Sequence, residues 1–267
     1  GRDSIANYMV IGAKQLGHEF AKEDGSGNVT VQTDKDTLRR LWDNYYVPFV
    51  KGYYAEKSRF RSDDMKTGAI ISMVCSNSAA SYCPSEVTIN DDLTYPIDVT
   101  VLPVPNFDGC DPYIVQQGAG MSVIKSDEKT EYACSVFLKW FTEEERNIEF
   151  AVNSGYLPVK KDANNIDKII SCKNDLSDIM KNTFSIAIGE INSCSLYTAP
   201  PYDASADVRT YIEDYIKSTG NAAYEEAASK IEAGGLRETV LEEYTNDKAF
   251  EKWYSDFADG LSSITGK

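Results

Sequence analysis

Short β-rich runs alternating with longer helical stretches predict an α/β fold for this chain. Three observations carry that expectation. Residues 69–74 (AIISMV) form a continuous apolar run of strand length. Residues 98–102 (DVTVL) read as a second strand that ends at Pro103-Val104-Pro105, where two prolines cannot continue a ladder. Beyond Pro158 almost every segment repeats with helical spacing.

The elements follow in order. Ser4 can cap a helix through Ile5, Met9, Ala13 and Leu16, apolar positions three to four apart, with Gly17 loosening its end. Asp24-Gly25-Ser26-Gly27 is a turn signal before a short strand, Val29-Thr30-Val31. Asp34 or Thr33 opens a helix through Leu38, Leu41, Trp42 and Tyr45, disturbed at Pro48. Ser62-Asp63-Asp64 starts a brief helical turn that ends at Gly68, and Ser76-Asn77-Ser78-Ala79-Ala80 can cap another after the first strand. Residues 106–112 (NFDGCDP) are loop chemistry. Two short strands follow, Tyr113-Ile114-Val115 and Met121-Ser122-Val123-Ile124, joined through Gln116-Gln117-Gly118-Ala119-Gly120. Ser126 is expected to cap an amphipathic helix whose buried stripe is Ala133, Phe137, Trp140 and Phe141. Thr142-Glu143-Glu144-Glu145 has capping-box form and opens a helix that stops near Asn153-Ser154-Gly155. Further helices are expected near 163–171, 174–187, 206–218, 220–232 and 245–259.

Composition excludes several classes. With 42 acidic and 27 basic side chains in 267 residues the net charge is −15, and no basic cluster is present to hold phosphates, so no nucleic-acid partner is expected. The lone His18 makes multi-His metal sites impossible, and neither a metal nor a cofactor is expected. Cys75, Cys83, Cys110, Cys134, Cys172 and Cys194 form no C-x-x-C pair and are too sparse for a disulfide scaffold, so they read as buried thiols. If any pair is bridged, Cys75 and Cys83 are nearest in sequence. No apolar run approaches the roughly 18 residues of a membrane-spanning helix.

Five segments, in order, resemble a known family. They are Ser62-Asp63-Asp64-Met65-Lys66-Thr67-Gly68, the small-residue strand AIISMVCSNS, the exit VTVLPVP, the stretch QQGAGMSVIKSDEKTEYACSVFLKWFTEEE, and the return crossing NSGYLPVKKDA. The chain resembles an extracellular solute-binding protein of family 1, the sugar and glycerol-phosphate type that serves ABC importers. That resemblance implies a two-lobed clamp, the type II periplasmic-binding-protein-like form of an α/β fold, with no catalysis. It looks like the later part of such a protein, lacking roughly the first third. Residues 1–104 then begin the C-terminal lobe, 105–153 belong to the N-terminal lobe, and 154–267 return to the C-terminal lobe. With the body of the N-terminal lobe absent, the apolar stripe of 106–153 is expected to be partly uncovered.

Candidate ligand residues follow from the same comparison. Ser76, Asn77 and Ser78 stand where a strand hands over to a helix, and they either satisfy their own helix or offer small groups to a ligand. Gln117, Gly118 and Gly120 form either a tight turn needing positive φ or an approach from the opposite lobe. Tyr156 either staples the return crossing or faces the cleft. Arg209 is either solvated or reaches the ligand with its planar fork, and Tyr202 is a weaker candidate for ring stacking. Trp42, Trp140 and Trp253 lie on helical apolar stripes and are expected in the core.

The function implied is a carbohydrate-binding component of an ABC importer, monomeric, extracytoplasmic, held to the membrane through a lipid anchor absent from this chain, and partnered by a permease. Binding of glycerol-3-phosphate or its diesters is the alternative. A glycoside-processing enzyme ranks below both, because no pair of carboxylates is nominated by any motif.

Overall fold

The structure is a computed structural model in which residues 1–173 and 175–266 are described. In chain order it contains α1 (Ile5–Gln15), β1 (Ala21–Glu23), β2 (Val29–Val31), α2 (Lys35–Asn44), α3 (Tyr46–Val50) and α4 (Arg61–Lys66). A 3₁₀ turn (Asn77–Tyr82), β3 (Glu86–Asn90), β4 (Leu93–Pro96) and β5 (Tyr113–Val115) follow. The rest is α5 (Glu128–Phe141), α6 (Glu144–Ser154), a 3₁₀ turn (Lys161–Ala163), α7 (Ile166–Cys172), α8 (Asp178–Ser193), β6 (Ser195–Tyr197), α9 (Ser205–Glu232), α10 (Arg237–Thr245) and α11 (Asp247–Thr265). Helix and strand are mixed, as expected, but the strands are short. They pair two by two: β1 with β2 and β3 with β4 antiparallel, β5 with β6 parallel.

Local chemistry explains the first helices. The Ser4 hydroxyl accepts from the Asn7 N–H at 3.2 Å, and Asp34 accepts from the Thr37 N–H at 2.8 Å, so both N-termini are capped. Two apolar cores result. The larger joins α1, α2, α3, α9, α10 and α11 around Leu41, Trp42, Ile212, Trp253 and Phe257. The smaller joins the 77–82 turn to α6, α7 and α8 through Ala80, Ile148, Val152, Ile169 and Phe184.

Burial in the larger core has a pH consequence. Desolvation pushes the Tyr46 phenol up to about 12, and desolvation followed by the carboxylates of Asp256 and Asp259 does the same to Tyr211. Tyr8, Tyr45 and Tyr215 are also pushed up, mainly by burial. The unfolded chain releases these protons near pH 10, so their stabilising contribution is complete below that value and is lost as pH rises toward the folded values. A melting temperature that is flat from about pH 7 to 9 and falls steeply above about 10 is the expected result. A curve flat to pH 12 would contradict it.

Several expectations change. Residues 69–74 form no strand: Val74 makes one parallel bridge to Arg2, and Ile71 is 98% exposed. Residues 98–102 and 121–124 lie outside every ladder, with Leu102 and Ile124 exposed. Strand propensity needs a neighbouring strand, and the described residues bring none beside these runs. The stripe on α5 is not core either, since Phe137 is 50% and Trp140 44% exposed, the Phe137 ring meeting Trp140 at a tilt and stacking on Phe141. Partial exposure of this face was expected, whereas the core placement of Trp140 was not found. Trp42 and Trp253 are buried.

Boundaries shift as well. Asp127 rather than Ser126 caps α5, accepting from Lys129 and Thr130. Thr142 ends α5 by donating back to the Leu138 carbonyl instead of opening α6. The two helices expected at 206–218 and 220–232 are one, because Gly220 packs against the Phe49 ring. The start of the helix placed at residue 174 lies outside the described residues; α8 begins at Asp178. All six cysteines are free thiols, five of them half-buried and Cys172 exposed, so none is buried in the way expected.

Candidate functional site

The sequence-nominated residues gather in two groups joined by the first residues of the chain. One group surrounds the N-terminus of α1. Glu213 of α9 accepts from the Ala6 N–H at 2.6 Å, and the Ser4 hydroxyl donates to the same carboxylate at 3.4 Å. Arg209, one helical turn earlier, donates to the Ser4 oxygen at 3.2 Å. Burial raises the Glu213 carboxyl, but Lys217 at 2.8 Å and the α1 amides outweigh it and hold the group below its ordinary value. Gln117 and Asn7 exchange amide hydrogen bonds at 3.0 and 3.2 Å. Arg209 and Gln117 therefore meet at one helix end, although 92 positions separate them.

The second group is the 76–78 loop and the return crossing. The Asp3 N–H donates to the Val74 carbonyl, and Val74 N–H to Gly1, both at 2.9 Å, which carries the chain from the α1 end directly into the loop. Ser76 and Ser78 share a hydroxyl contact at 3.0 Å. Asn77 donates to the Gly155 carbonyl at 2.8 Å, setting Tyr156 beside the loop with its side chain partly exposed.

Two candidates behave differently from expectation. Gly118 and Gly120 do not adopt positive φ and have open space where a side chain would stand, so the turn reading does not apply and the segment is exposed backbone. Tyr202 packs against the larger core, and burial raises its phenol, so it does not join either group. Sequence reasoning missed Asn7 and Glu213. The spacing Arg209, Glu213, Lys217, each four apart on one helix face, was the signal available for the second.

The arrangement presents amides and hydroxyls, one guanidinium, the Glu213 carboxylate and one phenol, groups that exchange hydrogen bonds with a polyhydroxylated molecule without moving a proton. Among the described residues no group of three or more His, Cys, Asp or Glu side chains is placed to hold a metal. A groove of about 660 Å³ lies elsewhere, between α6 and α7, lined by Glu144, Ile148, Val152, Lys168 and Cys172. It contains none of the nominated residues, and it is spanned by the Lys168–Glu144 ion pair at 2.7 Å. Among the described residues no helix is long and apolar enough to cross a membrane.

The model of a family described as bacterial extracellular solute-binding protein matches residues 2–175, about two thirds of the chain. The match spans the 76–78 loop, Gln117, Gly118 and Tyr156, and stops before Tyr202 and Arg209. No curated protein and no solved structure matches.

Proposed function

This chain belongs to the bacterial extracellular solute-binding protein family, and from that premise we propose that it is the carbohydrate-capturing component of an ABC importer. Membership gives it an extracytoplasmic place, a small-molecule ligand and an ABC permease as partner. Family members bind and do not turn over their ligands as a rule. The finer assignment is ours: an oligosaccharide first, a glycerol phosphate or its diester second, carried by a monomer tethered through a lipid anchor. The observation that favours a sugar is the set of uncharged donors and acceptors, Ser76, Ser78 and Tyr156 in one group and Gln117 in the other, with Arg209 offering a planar fork to vicinal hydroxyls.

We also propose the lobe map 1–104, 105–153 and 154–267. Its support is the uncovered aromatic face of α5 together with two strand-like runs, 98–102 and 121–124, that have no ladder. An α/β body in a longer form of the polypeptide would supply both a cover and strand neighbours.

The test is a melt of the protein carrying that further lobe against mono-, di- and oligosaccharides and glycerol-3-phosphate. A ligand at about 100 times its Kd stabilises by roughly 2.7 kcal/mol. A selective shift by an oligosaccharide, recovered unchanged afterwards, is the expected outcome. A shift by glycerol-3-phosphate alone would transfer the assignment to the phosphate, and hydrolysed sugar would replace binding by glycoside processing. Residues 1–267 alone are expected to bind sugar weakly or not at all, and tight binding by them would overturn the lobe map.

A further inference from the structure

The 76–78 loop and the return crossing are held to each other more tightly than a chance contact requires. Gly155 closes α6 in the left-handed region at φ 73°, ψ 7°, a conformation that favours glycine. Its carbonyl accepts the Asn77 side-chain N–H at 2.8 Å. A Cβ placed on Gly155 would stand 2.8 Å from the Ser78 Cα and 3.3 Å from its Cβ, so the two backbones touch where only hydrogen fits. Behind the contact, Ala80 is buried among Ile148 and Val152 of α6 and Phe184 of α8. On the far side of the crossing, Asn147 accepts from the Val159 N–H at 2.8 Å, and Asn164 donates to the Pro158 carbonyl at 2.7 Å. Three asparagine side chains thus hold residues 155–159, and only Asn77 reaches them from the loop.

We infer that Asn77 is a positioning residue: its amide latches the loop to the crossing, so that Ser76, Ser78 and Tyr156 present one preformed wall to a ligand. The inference rests on the binding reading for its purpose but on the latch geometry for its content. One of the two Asn77 side-chain N–H groups is committed to Gly155, which fixes the orientation of the whole amide. A ligand hydrogen bond taken by that N–H would release the crossing and move Tyr156 away from the serines.

Hydrogen exchange separates the two questions. In the chain without sugar, Asn77→Ala is expected to speed exchange of the hydrogen-bonded amides of the loop and crossing, Ala79, Cys83 and Val159, by roughly five- to tenfold, the loss of one ordinary hydrogen bond. Amides in α9 and α11 serve as the unaffected reference. Asn77→Asp is the decisive variant. At neutral pH its carboxylate accepts only and cannot bond a carbonyl, so exchange is at least as fast as in Asn77→Ala. Once protonated, below about pH 3.9, the carboxyl donates, and protection returns relative to Asn77→Ala measured at the same pH. Unchanged exchange in Asn77→Ala, or an Asn77→Asp variant that tracks Asn77→Ala at both pH values, would overturn the latch. A saccharide panel run on the wild type and the variants in the protein carrying the further lobe tests the other reading. If exchange responds as described and no sugar shifts the wild-type melt, the latch stands and the carbohydrate assignment falls. If the variants keep wild-type sugar affinity while exchange rises, the positioning role is overturned.

Discussion

Arg61→Ala is expected to destabilise the folded chain by about 3–5 kcal/mol, the cost of leaving one member of a buried ion pair without its partner. Arg61 and Asp64 are 1% and 0% exposed and lie 2.7 Å apart on one turn of α4. Asp64 also accepts from the Ser58 N–H at 2.7 Å and the Lys57 N–H at 3.2 Å. Arg61 donates to the Ala55 carbonyl at 3.3 Å and to that of Ser58, and its own N–H donates to Asp3. The pair therefore ties the irregular 55–60 segment to α4 and to the strand-like start of the chain. Removing the guanidinium leaves a carboxylate that two amides solvate only in part. The measurement is the urea midpoint at constant slope. Replacing both residues together, Arg61→Met with Asp64→Leu, is expected to recover only part of the loss: it removes the unpaired charge but leaves the Ser58 and Lys57 amides without their acceptor. A single variant that loses less than 1 kcal/mol would show that water reaches Asp64.

The same contrast between local and distant partners governs what the sequence reveals. The first helix and α2 are legible because their caps, Ser4 and Asp34, act on amides three residues away. The β3–β4 hairpin has a readable alternation, Val87 and Ile89 against Leu93 and Tyr95, but its turn is Asp91-Asp92, without the glycine that marks a hairpin in a sequence. Asn90 stabilises that turn by accepting from the Asp92 N–H. Residues 69–74 and 98–102 have the composition of strands and fail to become them, since a ladder depends on what lies alongside. The helix α10 lacks a side-chain cap at Leu236, so nothing local announced it after Gly234-Gly235.

The site was legible to the same depth. Ser76, Asn77 and Ser78 form a visible cluster of small polar residues, and Gly155-Tyr156-Leu157-Pro158 is visible as a crossing. Their contact through the Asn77 amide spans 78 positions and follows from no spacing rule. Nor could periodicity tell that Glu213 completes the cap of α1 from 207 residues away. Positions were readable, and the partners that decide which groups remain free for a ligand were not.

Phe257→Ala is expected to cost about 3–5 kcal/mol, which places it beside the ion pair as the largest loss from a single substitution. The ring is fully buried and stands at the meeting point of α11, α9 and the β1 approach. It stacks on Trp253 with centroids 5.2 Å apart and planes 5° apart, lies 5.6 Å from Tyr211 and 5.5 Å from Tyr215, and meets Phe20 edge-on at 6.1 Å. Truncation removes transfer free energy and leaves a cavity whose walls are rigid aromatic rings anchored elsewhere. Tyr211 and Tyr215 hydrogen-bond the α11 backbone at Phe257 and Trp253, at 3.1 and 3.0 Å, and so cannot easily turn to fill it. Phe257→Leu keeps part of the volume and should cost less than half as much. The consequence reaches the site, because α9 carries Arg209 and Glu213 and is held against α1 by this packing. Urea unfolding of both variants, followed by tyrosine and tryptophan fluorescence, measures the effect. Equal losses for Ala and Leu would mean that stacking geometry rather than cavity volume sets the stability of the helical core.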